Sequence, residues 1–306
     1  MTTQRHPTGS PGISFSHVTK RYGPVVAVDD FSATVQPGRI TAFLGANGSG
    51  KTTSMRMLLG LSEPTIGAAL VGGKTYAELE HPLRVVGAVL DQGFHPNRSA
   101  WNHLAIAAAQ AQVPRTRVDD VLELVGLRDA ARRRVGGFSL GMRQRLALAT
   151  ALIGDPFVLV LDEPFNGLDP AGIQTMRSFL RGFAEGGGTV FLSSHLLAEI
   201  ALIADDAIIL DHGRLVTAGP IADLVPSSAG IVVEADDVDT LAVALRARGA
   251  SIERTGSDRI TVTGVSTDTV GRAAIGAGVV LLGMRAEGDD LEAIFETLIH
   301  TKEHAS

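Results

Sequence analysis

The stretch GANGSGKTT, residues 45–53, constrains this chain more than any other segment, because it fits G-x-x-x-x-G-K-[ST] between a strand and a helix. The strand is the near-continuous apolar run ITAFLG, suited to burial on both faces, and residues 51–61 read as the helix. Glycines let such a loop curl, so that backbone groups from Gly45, Ala46, Asn47, Gly48, Ser49 and Gly50 converge on phosphate oxygens. The helix that follows adds the positive end of its dipole. Lys51 is then placed to reach the β- and γ-phosphates, the Thr52 hydroxyl to ligate Mg²⁺, and Thr53 to support the α-phosphate. Composition argues against a chance match: arginine carries almost all the positive charge, and lysine stands only at 20, 51, 74 and 302. By itself the motif specifies nucleotide phosphates and no particular reaction.

Around this loop the pattern predicts strands over ISFSHVTKRYG and VVAVDDFSATV, and then a Gln36-Pro37-Gly38 turn. The alternation in FSATV suits a half-buried antiparallel strand, and another buried strand, VVGAVL, ends at Leu90. Residues 94–153 read as largely helical: a segment opened by Ser99 as N-cap, a second over 115–125 and a third after Ser139. FVLVL, a helix over 170–184, TVFLSS, a helix in HLLAEIALIA, and AIILDHGRLVTAG then alternate, which implies a parallel sheet wrapped by helices. PSSAG, at 226–230, reads as a linker. Beyond it come IVVEA, a helix over 239–248, SIERT, RITVTG, a helix over 267–275 and VVLLGMRA, in the β-α-β-β-α-β order of ferredoxin-like domains. A last helix is expected in DDLEAIFETLIH.

Two further segments carry chemistry. FVLVLDEP buries a strand that delivers Asp162 and Glu163 at its carboxyl end, where open α/β sheets bind their ligands. Asp162 would hold Mg²⁺ and Glu163 would polarise the water that attacks a γ-phosphate. In FSLGMRQRLALA, Ser139 either caps the helix that follows or helps to make an anion site at its N-terminus. Nothing in the chain's own nucleotide pocket requires the second role, so a phosphate bound there would belong to another copy's ATP.

Together these segments resemble the nucleotide-binding subunits of ABC transporters over about residues 13–225. The resemblance implies an α/β P-loop NTPase of the ABC type: a parallel-sheet core, an antiparallel β subdomain and a helical subdomain at about 94–153. The small α+β ferredoxin-like module occupies 226–306, and residues 1–12 are a disordered lead-in. By this likeness GANGSGKT is the Walker A loop, VLVLDEP the Walker B strand, and Ser139, Leu140, Gly141 and Met142 the signature that completes the opposing subunit's ATP site. FNGLDP looks like the D-loop, with Asp169 in it. His195 looks like the switch histidine that contacts the γ-phosphate, and Tyr22 like the aromatic residue that stacks on adenine. Leu140 and Met142 depart from the common LSGGQ form. With DEPFNGLDPAG and SSHLLAE they are similar to the branch that powers drug and antibiotic exporters of the bacitracin and daunorubicin type. Counting from Gly87 puts Asp91 at the Q-loop position and Gln92 one residue later, and either would sense Mg²⁺ and relay ATP occupancy to a membrane partner.

The implied assembly is a head-to-tail homodimer with ATP and Mg²⁺ between its subunits, coupled to a separately encoded permease and lying on the inner face of the plasma membrane. The helical subdomain is the expected docking surface. A soluble ABC-type ATPase acting on nucleic acid or ribosomes is the alternative. The 33 acidic against 27 basic residues, a net charge of -6, argue against it, because no basic field is available for a phosphate backbone. Mean hydropathy is slightly positive at +0.20, yet Asp155 and Pro156 interrupt the most apolar stretch well short of the about 20 residues a bilayer requires. The first twelve residues lack the apolar centre of a secretory signal. The absence of cysteine excludes disulfides, thiolate metal sites and a cysteine nucleophile.

Overall fold

The buried apolar runs do become the central strands. In a computed structural model that describes residues 10–90, 93–224 and 230–286, β1 (Ile13–Tyr22) and β2 (Val25–Val35) form a hairpin. β3 (Ile40–Leu44) is buried at every position and leads through the glycine loop into α1 (Lys51–Leu58). Next come β4 (Ile66–Val71), the short α2 (Pro82–Val85) and β5 (Val86–Val89). The helical stretch holds α3 (Ala100–Gln110), α4 (Thr116–Leu124) and α5 (Leu140–Leu152). β6 (Val158–Leu161), α6 (Pro170–Glu185), β7 (Thr189–Ser193), α7 (Leu197–Ala201), β8 (Asp206–Asp211) and β9 (Arg214–Pro220) follow.

One sheet has the order β5-β6-β7-β3-β8-β9, parallel except for β9, which returns antiparallel beside β8. A second, antiparallel sheet has the order β2-β1-β4. Four phenylalanines join them: Phe15 and Phe31 from the antiparallel sheet meet Phe43 and Phe191 from the parallel one, at centroid separations from 4.8 to 5.9 Å. Rings at such spacing add to the burial of their apolar area. The parallel strands thereby end beside the glycine loop, and Asp162 and the residues after β7 emerge at the same edge.

In the helical subdomain Leu104, Val118, Val121, Leu122, Leu146 and Ala149 form the buried interior. Ser99 and Ser139 both cap as expected, accepting from the backbone N–H of Asn102 and Met142 at 3.2 Å. α5 lies directly on β5. A Cβ at Gly87 would stand 2.2 Å from the Ala151 carbonyl oxygen, so glycine is what allows that approach.

The contacts divide the chain between Pro220 and Ile221, whereas the sequence reading set the boundary at 225/226. The second unit opens with α8 (Ile221–Leu224) and continues as β10 (Ile231–Ala235), α9 (Val238–Arg246), β11 (Ser251–Arg254), β12 (Arg259–Thr263), α10 (Thr267–Ala277) and β13 (Leu281–Ala286). Its antiparallel sheet runs β11-β12-β10-β13, as a split βαβ requires. Alternate residues Ile231, Val233 and Ala235 pack with Leu241, Leu245, Val270 and Ala274 of the two longer helices.

Several local expectations are corrected. α1 ends at Leu58 rather than 61, and β4 and α2 had no separate sequence signal. Residues 10–12, assigned to a disordered lead-in, are tied into the fold. Ser10 is buried and its hydroxyl donates to the Gly187 carbonyl, while the Gly12 carbonyl accepts from Gly72 N–H at 2.9 Å. Asp91, Gln92 and the expected helix in DDLEAIFETLIH lie outside the described residues.

Candidate functional site

The glycine loop is shaped by close approaches that side chains would block. Gly50 has φ +104°, and a Cβ there would fall 2.6 Å from the Ala27 carbonyl oxygen. Lys51 opens α1, is largely buried, and donates from Nζ to the carbonyl oxygens of Gly45 and Ala46 at 2.7 and 3.0 Å. Burial lowers its pKa, and the negative charges of Glu163 and Asp162 act in the opposite sense. Ser49 Oγ is buried in the loop without a hydrogen-bond partner, and Ser54 ties the first helical turn back to the Gly50 carbonyl at 3.0 Å.

β6 and β7 pair in parallel with Leu161 beside Leu192, so the next residues, Asp162 and Ser193, are neighbours across the sheet edge. A chain of hydrogen bonds runs through them. Thr52 Oγ1 donates to Asp162 Oδ2 at 2.7 Å, and Ser193 Oγ donates to Asp162 Oδ1. Ser193 Oγ also accepts from Glu163 N–H at 3.0 Å. Glu163 itself has φ +51°, in the left-handed region that non-glycine residues occupy rarely. Its Oε2 accepts from the His195 backbone N–H at 3.3 Å and lies 2.8 Å from His195 Nδ1. Asp162 N–H in turn donates to the Val89 carbonyl of β5 at 2.7 Å.

Residues 45–53, Asp162, Glu163 and His195 are thus brought together. The oxygen donors fit the expected cofactors: Thr52 and Asp162 offer a hydroxyl and a carboxylate to a hard cation that takes its remaining ligands from phosphate and water. The unpartnered Ser49 hydroxyl and the glycine cradle fit a polyphosphate.

Other expected site residues are engaged elsewhere. The Tyr22 ring is 50 % exposed, with Lys20 Nζ 5.0 Å from its centroid, and its hydroxyl lies 3.4 Å from Ser62 Oγ. Ser139 caps α5, Leu140 is 55 % exposed, and Gly141 and Met142 belong to the same first turn. Asp169 caps α6 by accepting from Gly172 N–H at 3.0 Å. Two residues of this region had no sequence signal of their own: Ser193, and Gln144, whose buried amide donates to the Pro164 carbonyl at 2.8 Å. Only the strand register and the helix seating bring them there.

The profile of the ABC transporter family matches residues 28–166, and a domain of unknown function matches residues 229–292. The bacitracin transport ATP-binding protein of Bacillus licheniformis is 42 % identical over 207 residues, which cover 66 % of this chain and 68 % of that protein. The lantibiotic transport ATP-binding protein of Streptococcus pyogenes is 33 % identical over 205 residues, covering 67 % of this chain and 89 % of the relative. Among solved structures, an ATP-binding subunit of an ABC transporter superposes with a TM-score of 0.64 at 26 % identity, over 69 % of this chain and 91 % of that one.

Proposed function

The chain belongs to the ABC transporter ATP-binding proteins, and from that premise we propose that it hydrolyses ATP for a bacterial exporter of an antibiotic or similar drug. The observation that carries the catalytic reading is the hydrogen-bonded path Thr52–Asp162–Ser193–Glu163–His195 beside the Lys51 loop. The cargo class is supported by the relatives, one named for bacitracin transport and one for lantibiotic transport.

ATP supplies a γ-phosphoryl group, whose transfer to water depends mainly on positioning and charge stabilisation. Backbone N–H groups of residues 45–50 bind the phosphates, and Thr53 supports the α-phosphate. Burial lowers the Lys51 pKa, the negative charges of Glu163 and Asp162 oppose that shift, and phosphate charge would add to their effect. Thr52 and Asp162 would hold Mg²⁺ through oxygen atoms, and the ion would supply positive charge to the phosphates. Glu163 orients water and accepts its proton, while His195 fixes the carboxylate and contacts the γ-phosphate. Tyr22 stacks on adenine. Ser139 to Met142 serve the ATP of a second copy in a homodimer, with Asp169 in the facing loop, and Asp91 or Gln92 senses the occupied site.

No helix among the described residues is long and apolar enough to cross a membrane. On the likeness to transport ATP-binding proteins, we assign the passage to a separately encoded permease and place this chain at the inner membrane face. A groove of about 680 Å³ on the helical subdomain, lined by Arg98, Trp101, Ile106 and Arg115 among others, is the docking site we assign to that permease. The test is ATP turnover by the purified chain and drug resistance in cells that express it together with its permease. Lys51→Ala is expected to abolish both. A folded Lys51→Ala protein that hydrolyses ATP like the parent would refute the site.

A further inference from the structure

We propose that Ser193 is a positioning residue for hydrolysis, its single hydroxyl setting the placement of Asp162 relative to Glu163. The inference rests on the roles given above to those two carboxylates. Ser193 is 0 % exposed, so its hydroxyl has no water to bond and must use its hydrogen and lone pairs inside the protein. The hydrogen goes to Asp162 Oδ1, and a lone pair takes the N–H of Glu163 at 3.0 Å. With Thr52 on Oδ2, both oxygens of Asp162 are engaged, which fixes the rotation of the carboxylate about its own axis.

The second bond matters because of the backbone at Glu163. A glutamate at φ +51° stays there only when its surroundings hold it. His195 holds the tip of the side chain through Oε2, whereas Ser193 holds its root through the peptide N–H. Without the Ser193 oxygen that N–H has no acceptor, and the peptide is free to leave the left-handed region, carrying the carboxylate off its line. The adjacent Ser194 has a different task, since its hydroxyl accepts from Leu196 N–H at 3.0 Å within the local turn. The position of Ser193 follows from the β6–β7 register and not from the residues around it in sequence.

The test uses the full chain with Ser193→Ala and Ser193→Thr. Ser193→Ala is expected to lower kcat about tenfold or more while the Kd for ATP, measured calorimetrically, stays within about twofold, and to raise the half-saturating Mg²⁺ concentration about threefold or more. Ser193→Thr keeps the hydroxyl and should recover turnover to within about threefold of the parent. In a Glu163→Gln background at saturating Mg²⁺, Ser193→Ala should change the residual rate by less than about twofold, because the carboxylate whose backbone it holds is already disabled and the metal requirement is met. A Ser193→Ala protein with parental kcat and Mg²⁺ dependence overturns the proposal, as does a loss that persists in full on the Glu163→Gln background. Parental turnover by Glu163→Gln alone defeats the carboxylate assignment, and the proposal with it. If Ser193→Ala melts below the assay temperature, Ser193→Cys replaces it under the same thresholds.

Discussion

Gly87→Ala is expected to destabilise the first unit by about 2–6 kcal/mol, through one methyl group placed between β5 and α5. The new Cβ would fall 2.2 Å from the Ala151 carbonyl oxygen and 2.9 Å from Pro156 Cγ. An ordinary C···O contact is about 3.3 Å, so α5 must withdraw by about 1 Å. Neither obstacle is a flexible side chain: one is helix backbone and the other a proline ring. Overpacking of this kind costs about 1–3 kcal/mol. The same withdrawal stretches the 2.8 Å bond from Gln144 to the Pro164 carbonyl, and a buried pair left unsatisfied adds about 1–3 kcal/mol. Trp101, the only tryptophan of the chain, lies on α3 beside α5 and reports this unit by its fluorescence in urea. The expected result is a lower midpoint with an unchanged slope. A shift worth less than about 0.5 kcal/mol would show that the helix seating is not limited by this contact.

Three further outcomes follow from the site and its supports. Glu163→Gln should lose about a hundredfold or more in turnover yet retain ATP binding and accumulate an ATP-dependent dimer on gel filtration; undiminished turnover would contradict its role. Ser139→Ala should cost about 1 kcal/mol of stability as a lost cap, and turnover should fall further than that loss of folded protein explains; equal losses would leave Ser139 only a cap. His103, with its Nε2 3.1 Å from Thr150 Oγ1, has a pKa lowered by burial and then by the Arg98 charge, below the ordinary 6.5. The unfolded chain therefore binds the proton first, so this contribution to stability is full above 6.5 and is lost as pH falls through the folded value. His103→Gln should flatten the pH dependence of the melting midpoint in that acidic window; an unchanged slope would assign it to other groups.

Much of the architecture was legible because it is written in short runs. VLVL is apolar throughout and ITAFL is apolar but for Thr41, and both become fully buried parallel strands, while Ser99 and Ser139 stand where helices need caps. The phosphate loop is equally local, since its glycines, Lys51 and Thr52 act within one turn of chain. What was illegible depends on distant partners. β4 contains Gly67 and little alternation, and its strand character comes from pairing with β1. Ser193 reads as an ordinary strand-end serine until β7 is set beside β6, and the left-handed backbone of Glu163 is a property of the bonds around it. Ser10 shows the reverse: as sequence it belongs to a polar, loose-looking lead-in, but its hydroxyl finds an acceptor at Gly187, far along the chain.

α5 gives these long-range contacts a common consequence. Its first turn holds Ser139, and Leu140 packs over Gly167, where a Cβ would fall 2.2 Å from Leu140 Cδ2. One turn on, Gln144 is bonded to the carbonyl of Pro164, the residue immediately after Glu163. The middle and end of the helix rest on β5, whose Val89 carbonyl accepts from Asp162 N–H. The segment 162–167 is therefore gripped from α5 at two points and from β5 at a third. Close-packed contacts of this sort have little slack, so a displacement of the helix N-terminus is passed to the backbone of Glu163 rather than absorbed between them. On the roles proposed above, an anion at that N-terminus and the Glu163 carboxylate would be linked through this one helix.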